Sequence, residues 1–152
     1  MSRWPQGSST IENLLSTRSM ERISGSAAHG EPWLEQASRR LTTASHILTD
    51  DPESAFVLAY DAARFAGVAL LAHQGLRPTQ AGGHVAVCDA VRAQFGGPFA
   101  QLTTLRRRRN ELEYPAYPGE HVEADEVTKA IDIARTLINA AEQLFEHLGL
   151  FG

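Results

Sequence analysis

A chain of 152 residues, 43% hydrophobic and with a formal net charge of −4, suits one soluble domain with a sizeable core. It lacks an uninterrupted apolar span of membrane type, its acidic balance excludes a generally basic nucleic-acid coat, and residues 1–10 carry no apolar leader, so a cytoplasmic location is expected. The lone Cys88 excludes an intramolecular disulfide and a cysteine-rich metal site, the histidines form no i, i+4 pair, and no phosphate-cradling glycine loop precedes a helix; no metal or cofactor is expected.

Residues 1–30 read as an N-terminal arm: a weak helix over 11–23, with Ser8 to Thr10 as cap candidates, then a Ser-Gly-Ser-Ala-Ala-His-Gly linker. Residues 31–152 read as the main domain. Its first helix opens at Pro32, a favourable first-turn residue, and carries Leu34, Ala37, Leu41, Ala44 and Leu48 at the three- and four-residue spacing of a buried stripe. Asp50-Asp51-Pro52 ends that helix and starts the next, since an aspartate caps orphan amides and a proline needs no amide partner there.

The following helix runs to about Gln74 and is rich in small residues, among them Ala59, Ala62, Ala63, Ala66 and Gly67, with Phe56, Leu70 and Leu71 supplying bulk. Small side chains let neighbouring helices approach closely, which marks it as the central helix. Gly75 is placed to end it in a left-handed cap. A short helix then carries His84, Cys88, Val91 and Phe95 on one side, Gly96-Gly97-Pro98 separates it from an arginine-bearing helix, and Pro115 and Pro118 close the latter. The last helix, 122–148, repeats Val127, Ile131, Ala134, Ile138, Ala141, Phe145 and Leu148 at alternating four and three. No strand pattern competes, so the expected fold is all-α, an antiparallel bundle of four to six helices.

The segment Arg106-Arg107-Arg108-Arg109-Asn110-Glu111-Leu112-Glu113-Tyr114 places charge where a helix should be apolar. At about 100° per residue, Leu102 marks the middle of a face flanked by Phe99, Leu105 and Leu112, and Arg106, Arg109 and Glu113 fall within roughly 40° of it. Arg107, Arg108 and Glu111 point elsewhere. An ionised group on a core-facing stripe is costly unless paired and hydrogen-bonded, so the inward charges need partners or a task.

One reading is an ion-pair network that locks helix packing; the other is a phosphate or nucleotide cleft, because guanidinium groups fork onto phosphate oxygens and Tyr114 or Tyr117 offers a ring to stack on a base. On the central helix, Tyr60, Asp61 and Arg64 lie on the less apolar side. Asp61 and Arg64 are spaced to pair along the helix; if that face meets the arginine helix, Asp61 becomes the counter-charge for Arg106 or Arg109.

Two segments, Ala59-Tyr60-Asp61-Ala62-Ala63-Arg64 through Leu76-Arg77-Pro78 and Leu105 through Tyr114-Pro115, resemble the HEPN family, the higher eukaryotes and prokaryotes nucleotide-binding domains, over about residues 33–148. The resemblance implies a small helical bundle, a homodimer, and a nucleotidyltransferase or antitoxin as possible protein partner. Ribonuclease members are similar in placing an arginine and a histidine four to six residues apart at a dimer cleft, where RNA is cleaved without metal. Arg109 matches the arginine, but Tyr114 stands at the histidine position, and a tyrosine is a poor general base at neutral pH.

The favoured expectation is therefore a non-catalytic or degenerate HEPN-like domain that binds RNA, a nucleotide or a protein through Arg106, Arg109, Asn110, Glu113 and Tyr114, supported by Tyr60 and Asp61. One alternative is a metal-independent endoribonuclease toxin using Arg109 with Tyr114 or His121, the latter brought near by a fold-back loop. A second is a purely structural interaction module.

Overall fold

The computed structural model describes residues 3–152. Gly7, at φ 74°, turns the chain into a first helix, α1 (Ser8–Ser16), which buries Ile11 and Leu14. This helix starts and ends earlier than the 11–23 expected from sequence, because the chain leaves helical geometry at Arg18, φ 61°, and becomes extended. Residues Met20–Arg22 form a strand, β1, that pairs antiparallel with β2 (Leu76–Pro78), Met20 opposite Pro78. Flanking bonds extend the pairing: the Ile23 amide donates to the Gly75 carbonyl at 2.8 Å and the Thr79 amide to the Ser19 carbonyl at 3.0 Å. The expectation of no strand is corrected here. Three-residue strands are too short to show the alternation by which strands are read.

Residues 3–30 also contribute to the main core, because Ile11, Leu14 and Met20 belong to the same buried cluster as the long helices. Trp4 lies tilted against Phe95, ring centroids 5.3 Å apart, and donates its indole N–H to the Gln94 carbonyl at 2.8 Å, holding the segment against the end of a later helix.

Helix α2 (Glu31–Ile47) buries Leu34, Ala37, Leu41 and Ala44 along the stripe read from sequence, with Leu48 half-buried beyond its end. Asp51 caps α3 (Pro52–His73) by accepting the Ser54 amide at 3.2 Å, and that bond holds its carboxyl below the usual carboxylate range. Helix α3 is the central helix: Phe56, Tyr60, Leu70 and Leu71 are fully buried, and it packs against α2 and the C-terminal helix on one side and the arginine helix on the other.

Helix α3 is long and apolar enough to cross a membrane, but 78% of its most apolar stretch is buried inside the protein, which makes it the core helix. Gly75, at φ 75°, ends it as expected. Two amides then lock the C-terminal ends of α3 and α4 (Gly83–Phe95): Gln74 and Gln94, both buried, exchange hydrogen bonds of 2.9 and 2.7 Å.

After a 3₁₀ turn, Gly97–Ala100, α5 (Gln101–Glu113) carries the arginines and α6 (Ala124–Leu144) closes the bundle. Val127, Ile131, Ala134, Ile138 and Ala141 of α6 face the core, and a 3₁₀ turn, Phe145–His147, replaces the last turn expected of it. The fold is all-α apart from the β1/β2 pair.

Candidate functional site

Leu102 and Leu105 anchor α5, with 0% and 4% of their surface exposed, against α3 and α4; burying a leucine is worth about 1.5–3 kcal/mol. One turn further, the same face carries Arg106 and then Arg109, both half-buried. Arg109 pairs with Glu113 along α5, and Arg64 pairs with Asp61 along α3 at 3.5 Å. Arg106 has no carboxylate partner among the described residues. Asp61 therefore pairs within its own helix, and the suggested counter-charge to Arg106 or Arg109 is not formed.

The Nε groups of Arg64, Arg106 and Arg109 are all buried, and none has a hydrogen-bond acceptor. A guanidinium N–H removed from water without a partner costs about 1–3 kcal/mol, and three of them on one face form a set of donors without an acceptor. Thr103, on the same helix, adds an unpartnered buried hydroxyl.

Between α3 and α5 stands His84, in the first turn of α4. Its Nδ1 lies 3.0 Å from the hydroxyl of Tyr60, whose ring is fully buried. Burial raises the phenol well above its ordinary range, so it stays protonated and shares one hydrogen bond with the imidazole. The His84 pKa is pushed down, first by partial burial and then by the positive fields of Arg64, Arg109 and Arg106, which outweigh the opposing field of Asp61. Cys88, one turn along α4, is buried as expected, and its thiol is pushed up by that burial although Arg106 lies close enough to oppose it.

Towards the C-terminal end of α5, the groove between α3 and α5 opens into a pocket of about 500 Å³ lined by Val57, Leu58 and Leu112, with Glu53, Ser54, Arg109 and Glu113 at its edges. A larger groove of about 680 Å³ lies between α2 and α6, but Glu31, Glu35, Glu142 and Glu146 outnumber its one Arg39, which disfavours any anion there.

The remaining sequence-derived candidates separate. Asn110 is exposed, and Tyr114 closes α5 with 76% of its surface in solvent. His121 is exposed on the following loop, where its Nε2 meets Glu123 at 2.7 Å and its Nδ1 the Gly119 carbonyl at 3.0 Å; those bonds raise its pKa. The loop does fold back, but onto Arg108. Arg108 reaches Glu126 at 2.7 Å, Glu120 at 3.2 Å and the His121 carbonyl at 3.0 Å, and these bonds raise its pKa further. Arg108, read from sequence as lying off the inward face, thus gains partners from a proline-rich loop without periodicity, which angular arithmetic on one helix does not reach. Sequence reasoning also missed His84 and the apolar pocket. The one signal for the pocket was the spacing of Ser54, Val57, Leu58 and Asp61, which is that of one helix face.

Comparison with protein families gives a match to the HEPN domain over residues 31–144. The chain belongs to the HEPN family. Neither curated proteins nor solved structures give a match. The matched span runs from the start of α2 to the end of α6, so all of the arginine face falls inside the HEPN domain, while α1 and β1 precede it. Membership fits a nucleotide- or RNA-related module of helical fold.

Proposed function

We propose that this HEPN domain is a phosphate-binding module that holds a nucleotide or RNA on the face formed by α3, α4 and α5, without cleaving it. The observation that carries the reading is the convergence of Arg64, Arg106 and Arg109 around the Tyr60–His84 pair, with three buried Nε groups that lack an acceptor. Phosphate oxygens are the acceptors that complete such a set, and a planar guanidinium meets them in a two-pronged geometry. Arg106, having no carboxylate to displace, is the residue on which the reading leans most. Binding without cleavage is favoured by the exposure of Tyr114 at the end of α5 and by the engagement of His121 with Glu123 and Gly119.

The test is RNA binding by the full chain across a salt series, with Arg106→Ala/Arg109→Ala as the comparison and circular dichroism as the check on folding. Affinity is expected to fall as salt rises, because counterions compete for the phosphate, and the double variant is expected to lose both the affinity and the salt slope. Unchanged binding in a folded double variant would leave the arginines a purely structural role. Incubation with RNA in EDTA is expected to give no cyclic-phosphate ends; their appearance, and their loss in Arg109→Ala, would establish the endoribonuclease instead.

A further inference from the structure

Helices α2 and α6 lie side by side in opposite directions: Glu31 and Leu34 share one cavity of about 680 Å³ with Phe145 and Glu146, while Ser45 and His46 share another of about 430 Å³ with Arg135 and Ile138. Ser38 and Glu142 line both, so the two join into one groove. From Glu31 to His46 it runs about 22 Å, at about 1.5 Å per residue, which is the length of a helix of about 15 residues.

The walls of this groove repeat every seven residues. Leu34 and Leu41 of α2, with Ile138 and Phe145 of α6, make an apolar floor, and the small, exposed Ser38 and Ser45 keep the α2 rim low enough for another backbone to approach. Two helices whose groove residues recur at that interval offer a seam in which a third helix seats apolar side chains at i, i+3 or i+4, and i+7.

Charge decides what kind of helix fits. Glu31 and Glu35 stand one turn apart on α2, Glu142 and Glu146 one turn apart on α6, and all four line the same end of the groove. Like charges at i, i+4 weaken a helix. Among the described residues only Glu146 of the four has an ion-pair partner, His147 at 3.3 Å, and Arg39, the one cation lining that end, pairs with no carboxylate. The chain thus keeps four carboxylates together at a cost that lysine or arginine side chains from outside would relieve. At the opposite end Arg135, paired with Asp132 at 3.1 Å, and His46 leave no such excess. This chain offers no matching helix of its own, since Arg108 and Arg109 of α5 are taken by carboxylates and the Arg106 Nε is buried.

We infer that the α2/α6 groove docks an amphipathic helix of a partner protein, with lysine or arginine beside its apolar stripe at the end that meets Glu31, Glu35, Glu142 and Glu146. The groove shares no residue with the arginine face of α3, α4 and α5, so the inference stands apart from the phosphate-binding reading.

Fluorescence anisotropy with the full chain and labelled synthetic peptides tests it. The probes are peptides of about 16 residues with leucines at alternating three- and four-residue spacing and lysines flanking that stripe at the N-terminal or the C-terminal end, each matched by a scrambled peptide of the same composition. At least one is expected to bind about tenfold or more tightly than its scrambled counterpart, and to gain helicity on binding. Glu35→Lys/Glu142→Lys is expected to weaken that peptide about tenfold or more and to flatten its salt dependence. Ser38→Tyr, which fills the middle of the groove without changing its charge, is expected to bring it down to the level of the scrambled peptide. These substitutions fall at exposed positions, and circular dichroism checks the fold.

Amphipathic and scrambled peptides that bind alike, or not at all, would reduce the groove to an acidic patch and overturn the inference. Undiminished affinity in Ser38→Tyr would place the peptide elsewhere and overturn it too. A wild-type dimer in sedimentation that Glu35→Lys/Glu142→Lys abolishes would make a second copy the occupant, against the partner helix inferred here.

Discussion

The hydroxyl of Tyr60 lies 3.0 Å from Nδ1 of His84, and this contact ties the centre of α3 to the first turn of α4 within the field of three arginines. It fixes the ring and leaves Nε2 outside that bond. The groups that act on His84 are Tyr60, Asp61 and Arg64 of α3, and Arg106 and Arg109 of α5. Because its pKa is lowered, mainly by burial and then by Arg64, His84 is neutral at pH 7 and gains charge only below about 6.5. Sulfate keeps its charge over this range, so its affinity is expected to rise as pH falls from 7.5 to 5, and His84→Asn is expected to flatten the profile. A slope that survives in His84→Asn would assign the titration to another group.

The same shift has a consequence for stability of opposite direction. The folded state resists protonation of His84, and likewise of His73, whose pKa burial lowers and whose ring stacks on Phe145 at 4.5 Å. Stability from these two histidines is present above the unfolded pKa of about 6.5 and is lost as pH falls through the folded values. Urea midpoints are expected to decline between pH 7 and 5, less steeply in His73→Phe; an equal decline in that variant would remove His73 from the account.

The Gln74–Gln94 pair predicts non-additive mutations. Gln94→Leu strands the buried Gln74 amide and is expected to cost about 1–3 kcal/mol, whereas Gln74→Leu/Gln94→Leu removes both polar groups and is expected to cost less than the sum of the single changes. Denaturant unfolding of the four proteins in the cycle measures the coupling, and strict additivity would show that the pair does not act as a unit.

Neighbouring arginines are expected to differ in stability effect. Arg108→Ala breaks the links from α5 to Glu120, Glu126 and the His121 carbonyl and is expected to cost about 1–2 kcal/mol, while Arg107→Ala, an exposed change without a partner among the described residues, stays within about 0.5 kcal/mol. Thermal unfolding of both variants checks the difference. Equal effects would mean that the network adds nothing beyond an exposed charge.

The periodic parts of this protein were legible before its structure. The stripe of α2 and that of α6 repeat at helical spacing, the small residues of α3 mark the central helix, and Asp51 and Gly75 stand where a cap must stand. What escaped depends on contacts distant in sequence. Met20–Arg22 becomes a strand only because Leu76–Pro78 is there to pair with it, and Arg108 acquires partners only because the loop after Pro115 returns to it. His84 carried no local signal either: its position in the site is set by a tyrosine 24 residues earlier, on another helix. Arg106 and Arg109 could be placed on the inner face by angle alone, but that Arg106 lacks a carboxylate partner is a property of the packed bundle.

The most direct test of the central claim reads the orphaned donors of Arg106 and Arg109 themselves. In nitrogen–proton spectra of the arginine Nε groups, addition of AMP is expected to move the Arg106 and Arg109 signals downfield and to slow their exchange with water, as unpartnered N–H groups acquire a phosphate acceptor. Signals that stay in place while AMP saturates the protein would put its binding site elsewhere and contradict the account.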